Sequence, residues 1–154
     1  MNDEKIREIT ESVIKQLSFK MNLETAKKLA AMVEEKAREI GVNAVVAISD
    51  EAARPVLVEC MDDAYIASYD VAFNKAYTVV ALKMPTIELK PLSQPGASLY
   101  GIQFTNNGKI VIFGGGDPLK IGDKIVGGLG VSGGTEEQDT FLSRYGAEIF
   151  SQLI

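Results

Sequence analysis

Apolar residues recur at helical spacing over the first forty positions. Ile6, Ile9, Val13, Ile14 and Leu17 fall on one face of an amphipathic helix over residues 3–17, with Glu4, Lys5, Glu8, Glu11 and Lys15 elsewhere. A helix this short is marginal in water by itself, so its stripe should dock on something. Asn22 is a natural N-cap for a second helix running to about Ile40. Leu23, Ala26, Leu29, Ala30, Val33, Ala37 and Ile40 form its apolar face, and Gly41 sits at C′. The runs NAVVAIS (43–49) and PVLVECM (55–61) then read as strands, joined by a connection short enough for an antiparallel hairpin. Asp62 and Asp63 are candidate caps for a third helix within 64–83 that ends before Pro85. Its small residues, among them Ala64, Ala67, Ala72 and Ala76, suit close packing on a sheet. PTIELKP adds a helical turn.

Beyond Gly96 the pattern changes. Gly41 is the only glycine before that point, and the other 13 lie between Gly96 and Gly146. Asn107-Gly108 is the strongest turn signal and leads into a strand expected at Lys109–Phe113. After the loop Gly114-Gly115-Gly116-Asp117-Pro118, a hairpin turning at Gly122-Asp123-Lys124 continues into a strand over 125–132. Thr135 with Gln138 forms a capping box for a last helix running toward Ile154. Five strands joined mainly by hairpins predict an α+β domain, an antiparallel sheet with helices packed on it.

Composition narrows the chemistry. The 154 residues, 46% of them hydrophobic, suit one compact domain. Acidic residues outnumber basic ones by 21 to 16, and no Lys/Arg cluster offers a surface to nucleic acid or an anionic membrane. There is no histidine, which excludes a Ser-His-Asp or Cys-His relay, His-ligated zinc and the usual His-ligated haem. A single cysteine, Cys60, forms no intramolecular disulfide and fits a reducing compartment. No apolar run approaches the roughly 18 residues of a membrane span, and the charged start MNDEKIREITE is unlike a secretory leader. A soluble cytoplasmic protein is expected.

Three places are candidates for ligand binding. Three consecutive glycines, Gly114, Gly115 and Gly116, suggest unusual dihedrals or close approach by a ligand or chain, with amides free to cradle an anion; a wide turn between strands is the alternative. Ser132-Gly133-Gly134-Thr135 precedes the last helix and offers N–H groups and a favourable dipole, or simply a cap, with Glu136, Glu137 and Asp139 suiting the first turn. Lys75 and Thr78 share a face of the third helix and would grip a carboxylate, while Tyr77 points elsewhere; a solvated lysine and a back-bonded threonine are the alternative. Tyr65, Tyr69 and Tyr100 read as core or interface aromatics. No catalytic or metal-ligating set stands out.

The blocks FNKAYTVVALKMPT, SQPGASLYGIQFTNNGKIVIFGGGDPLK and KIVGGLGVSGGTEEQD, in this order, closely resemble the GlcG/HbpS family. That family is often labelled haem-degrading and includes the C-terminal domain of propanediol-utilisation cobalamin adenosyltransferases. The resemblance covers about residues 21–150. It implies a profilin-like α/β/α sandwich around a five-stranded antiparallel sheet, assembly into homo-oligomers, and haem or corrinoid as ligand. Without histidine, a haem would take Tyr, Met, Cys or Lys, and Met61, Met84, Tyr65, Tyr77 and Cys60 are the candidates. Residues 1–18 resemble the amphipathic peptides that target cargo to bacterial microcompartments, where a shell or core protein would be the partner; the alternative is packing on the chain's own domain, 19–154, or a sister subunit. The expectation is a non-catalytic tetrapyrrole- or small-ligand-binding accessory protein. An enzyme acting on a small hydroxy-acid or aldehyde, with Glu137 or Asp139 as base, and a purely structural interaction protein are the alternatives.

Overall fold

A computed structural model describes residues 2–154. The side-chain carbonyl of Asn2 accepts the Glu4 N–H at 2.9 Å and starts α1 (Asp3–Leu17); that of Asn22 accepts the Thr25 N–H at 2.9 Å and starts α2 (Leu23–Glu39). Gly41, at φ 74°, ends α2 as expected. Then come β1 (Val45–Asp50), β2 (Pro55–Cys60), α3 (Ser68–Ala81), α4 (Thr86–Leu92), two 3-10 turns, β3 (Gly116–Ile121), β4 (Lys124–Ser132) and α5 (Glu136–Ile149). The capping box at Thr135 and Gln138 is formed, and α5 gives way to a 3-10 turn over Phe150–Leu153 short of the C-terminus.

The sheet runs β2-β1-β4-β3, with each neighbouring pair antiparallel. Its central strand β1 is buried on both faces. Val46 and Ile48 pack with Leu29, Val33 and Leu142 of α2 and α5, while Val45 and Ala47 meet Ala72 and Ala76 of α3. The result is three layers, α/β/α. The small residues of α3 serve the close approach that the sequence suggested: a Cβ on Gly130 would stand 2.0 Å from the Ala72 carbonyl, and one on Gly128 2.3 Å from that of Ala76. Helix and sheet meet here nearly backbone to backbone.

Four strands form the sheet among the described residues, not five. Residues 109–113 enter no ladder. Asn107 and Gly108 do take positive φ, 56° and 72°, as the turn signal required. The preceding residues, however, coil into the 3-10 turn Ile102–Phe104, so there is no strand for a hairpin partner. The segment is instead held to α3, where the Thr78 hydroxyl accepts the Val111 N–H at 3.0 Å. Two further expectations are corrected. Asp117 and Pro118 belong to β3, an edge strand that tolerates proline's missing N–H, rather than to a loop. The third helix starts at Ser68, behind Ala67 and without a side-chain cap; Asp63 is spent in a turn at φ 64°.

The α1 stripe does not dock on the described chain. Ile6, Ile9, Val13, Ile14 and Leu17 are 45–65% exposed, and α1 has no buried residue. It is Ser12, Lys15 and Gln16, off the stripe, that face Phe19, Asn22 and Leu153 across a shallow depression. The apolar face points away from the domain.

On α2, Glu34 meets Glu59 of β2 carboxyl to carboxyl. Burial first, and then the hydrogen bond and charge of Glu59, raise Glu34 to about 7; Arg38, 3.6 Å away, only partly offsets this. Burial likewise lifts Asp117 to about 6. Both carboxyls hold a proton in the folded state at pH values where the unfolded chain has released it. Stability should therefore fall as pH rises from about 4.5 to about 7. Glu34→Gln is expected to flatten this decline and to be more stable than wild type at pH 8. Urea midpoints at pH 5 and pH 8 measure it, and a variant with the same pH dependence as wild type would contradict the assignment.

Candidate functional site

Lys75 is the organising residue. It lies on the same helical stripe as Ala72, Ala76 and Val79, the positions α3 turns toward the sheet, so the chain carries a charged side chain into an apolar layer. The side chain is completely buried. Its ammonium donates to the Val131 carbonyl at 2.7 Å and to Asp139 Oδ2 at 3.3 Å, and it lies 5.1 Å from the centre of the Phe113 ring. Asp139, in the first turn of α5, has its other oxygen on the Gly134 N–H at 2.8 Å. Burial dominates for both partners, pushing Lys75 down and Asp139 up from their ordinary values, and each is held back by the other's charge.

The glycine loop is built around this pair. At Gly115, φ is 115°, and a Cβ would lie 2.5 Å from Lys75 Nζ and 2.8 Å from Asp139 Cβ. Gly116 donates its N–H to the Thr86 hydroxyl at 2.9 Å, and Gly114 donates to Glu136, which also pairs with Lys90. Lys90 and the Gly114 N–H hold the Glu136 carboxyl below its usual range. Two of the amides that the sequence offered to an external anion thus already bind the chain's own carboxylates, Gly114 on Glu136 and Gly134 on Asp139, and that of Gly116 is taken by Thr86.

The remaining candidates separate. Thr78 is buried and back-bonded to the Asn74 carbonyl at 2.7 Å, so it does not join Lys75 in a grip on a ligand. The Tyr77 hydroxyl accepts from the Asn106 amide at 3.1 Å, with Lys109 over its ring. Thr135 is occupied as the α5 cap. Gly133 and Gly134, by contrast, line an open cleft of about 280 Å³ above the Lys75–Asp139 pair. Tyr65, Val71, Phe113, Ser68, Ser132, Glu136 and Asp139 also line it, and the two serine hydroxyls are hydrogen-bonded at 3.0 Å.

Sequence reasoning missed Phe113 as a cleft wall because it placed that residue in a strand. It read Tyr65 and Tyr69 as core or interface aromatics; at 73% and 48% exposed neither is in the core, and Tyr65 lines the cleft. Ser68 carried no signal, being one small residue among many. Among the described residues no group of three or more Cys, Asp or Glu is placed to hold a metal ion, and no helix is long and apolar enough to cross a membrane.

Lys75→Ala would strand the Asp139 carboxylate in the interior and should destabilise the fold by about 3–5 kcal/mol. Lys75→Met combined with Asp139→Asn, which removes both charges, should recover much of that. Guanidinium unfolding of the three proteins decides it, and a Lys75→Ala variant within about 1 kcal/mol of wild type would show that the pair is not a structural centre.

Comparisons with known proteins agree with this architecture. An uncharacterised 15.0 kDa protein from the dhaT-dhaS intergenic region of Citrobacter freundii is 47% identical over 133 residues, 86% of this chain and 94% of that protein. The corrinoid adenosyltransferase PduO of Salmonella typhimurium is 42% identical over 117 residues, 76% of this chain but only 35% of that longer enzyme. A solved structure described as a PduOC:heme complex superposes with a TM-score of 0.81 at 36% identity, covering 84% of this chain and 94% of that one. The model of the family described as haem degrading protein HbpS-like matches residues 21–148, the whole of the sheet with α2, α3 and α5 up to its last residue. The chain therefore belongs to the HbpS-like family.

Proposed function

We propose that this protein is a non-catalytic accessory protein that binds a tetrapyrrole, haem or corrinoid, in the cleft bounded by Tyr65, Phe113 and Gly133-Gly134. The observation that carries the reading is this aromatic-walled opening, set over a pair of charges that satisfy each other. A small anion finds no unpaired cation there, because Lys75 is bound to Asp139 and Lys90 to Glu136. A flat, largely apolar ligand needs none. Further support comes from the likeness to a protein solved with haem and to part of a corrinoid enzyme. At about 280 Å³ the cleft lies just below the roughly 300–1,000 Å³ of small-ligand pockets. It would grip one edge of a macrocycle, and a second copy in a homo-oligomer would cover the rest. Carboxylate side arms of the ligand would face solvent, away from Glu136 and Asp139.

The enzyme alternative draws no support from Lys75, whose protons are directed at Val131, Asp139 and the Phe113 face. Titration with hemin and with cobalamin is the direct test: a saturable spectral change is expected with at least one, and no change with either removes the reading.

The outward stripe of α1 supports a second element of the proposal. Residues 1–18 would act as a docking segment for a shell or core protein of a bacterial microcompartment, in a cytoplasmic diol- or choline-type pathway. Deleting residues 2–18 should leave the circular dichroism and thermal unfolding of the domain intact and abolish co-sedimentation with shells. Unchanged co-sedimentation would refute the role.

A further inference from the structure

Helix α3 is apolar on two sides, and the described chain covers only one of them. Ser68, Ala72, Ala76 and Val79 turn toward the sheet with Lys75. The opposite side carries Tyr69, Phe73, Tyr77 and Val80, and Ile66 in the preceding turn extends it. Ile66 is 96% exposed, and the rings of Tyr69 and Phe73 stack at 6.3 Å. The loop that reaches Tyr77 through Asn106 adds the exposed rings of Tyr100 and Phe104. Outer faces elsewhere differ. That of α2 is laced with ion pairs, Lys28 with Glu24 and Arg38 with Glu35, and Phe141 of α5 stands among Glu137, Arg144 and Glu148. Apart from buried Lys75, α3 holds a single charged residue, Asp70, and a helix apolar on both sides is one that protein covers on both sides.

The charges on this outer side are complementary to themselves. Among the described residues Asp70 has no ion-pair partner, and neither has Lys109, whose ammonium lies 5.2 Å from the centre of the Tyr77 ring. Asp70 and Tyr77 are two turns apart on one face, about 10.5 Å along the helix axis. A two-fold axis between Phe73 and Asn74 lies midway between them. It sets two copies of α3 antiparallel, with Asp70 of each against Tyr77 and Lys109 of the other. A foreign partner would have to match both charges, whereas a second copy supplies them by symmetry.

We propose that α3 is the seam of a homodimer, packed antiparallel on α3 of a second copy, with Asp70 paired across the two-fold axis to Lys109. The proposal goes beyond the ligand reading and does not depend on it.

Analytical ultracentrifugation of the ligand-free full chain tests it, with circular dichroism to confirm that each variant is folded. Asp70 and Lys109 are exposed, so replacing either leaves the core untouched. Wild type should sediment as a dimer or a larger even-numbered assembly. Asp70→Lys and Lys109→Glu should each raise the dimer Kd by roughly tenfold or more, because symmetry repeats the broken contact twice. The double variant restores opposite charges and should return to within about threefold of wild type. Phe141→Glu, on the outer face of α5, should associate as wild type does. A monomeric wild type, single variants that associate as tightly as wild type, or a double variant no tighter than the singles overturns the seam. So does dissociation caused by Phe141→Glu alone, which would put the interface on α5. No tetrapyrrole enters these measurements, so their outcome is separate from that of the hemin and cobalamin titrations.

Discussion

The buried ion pair between Lys75 and Asp139 ties together three pieces of the chain. Lys75 comes from the helix on one side of the sheet and Asp139 from a helix on the other, and the carbonyl of Val131 at the end of β4 completes the contact. An ammonium in this interior is tolerable only if every neighbour is in place, because an unpaired charge there is far more costly than one in water. The surroundings follow from that condition. Gly115 must lack a side chain because Lys75 Nζ occupies the space, and Gly130 must lack one so that α3 can bring Lys75 close enough. The carboxylate that neutralises Lys75 also caps the amide of Gly134, which joins the pair to the start of α5.

The same economy explains the electrostatics of the cleft. Glycine-rich turns and a helix N-terminus are natural receptors for anions. In this chain those receptors bind Asp139 and Glu136, and the matching cations Lys75 and Lys90 are paired with the same two residues. Beside these paired charges the cleft lining is uncharged: Tyr65, Val71, Phe113 and a pair of serines whose hydroxyls are bonded to each other. A surface of this kind selects by shape and apolar contact rather than by charge. The exposed stripe of α1 is a second apolar surface, on the other side of a short link, and the face of that helix nearest the domain is the polar one.

Much of this was legible in the residues. The caps at Asn22 and Thr135 and the turn at Gly41 depend on neighbours within one helical turn, and the structure forms them as read; the α2 face is buried from Ala26 to Ala37, with Leu23 left exposed. Family membership was legible from the blocks around KAYT, GGGDP and SGGT. Lys75, Gly133 and Gly134 were singled out as chemically unusual, and the structure gathers them at one place. The strand expected at Lys109–Phe113 failed because a turn signal specifies its own dihedrals but not the presence of a partner strand. That Tyr65 would line a cleft was not legible for a similar reason: an aromatic side chain carries no local mark of which way its loop will face.

The sequence by itself determined where the helices lie, the caps of α2 and α5, the β1–β2 and β3–β4 hairpins, and the exclusion of histidine chemistry, since each rests on local geometry or on residue inventory. Only the tertiary structure decided that the expected anion sites are filled by the chain's own carboxylates. Only it decided, too, that Lys75 is a buried strut rather than a solvated grip, and that Tyr65 and Phe113 line one cleft. Those outcomes depend on contacts between residues up to 64 positions apart, such as Lys75 with Asp139, where nothing in the local pattern specifies the partner.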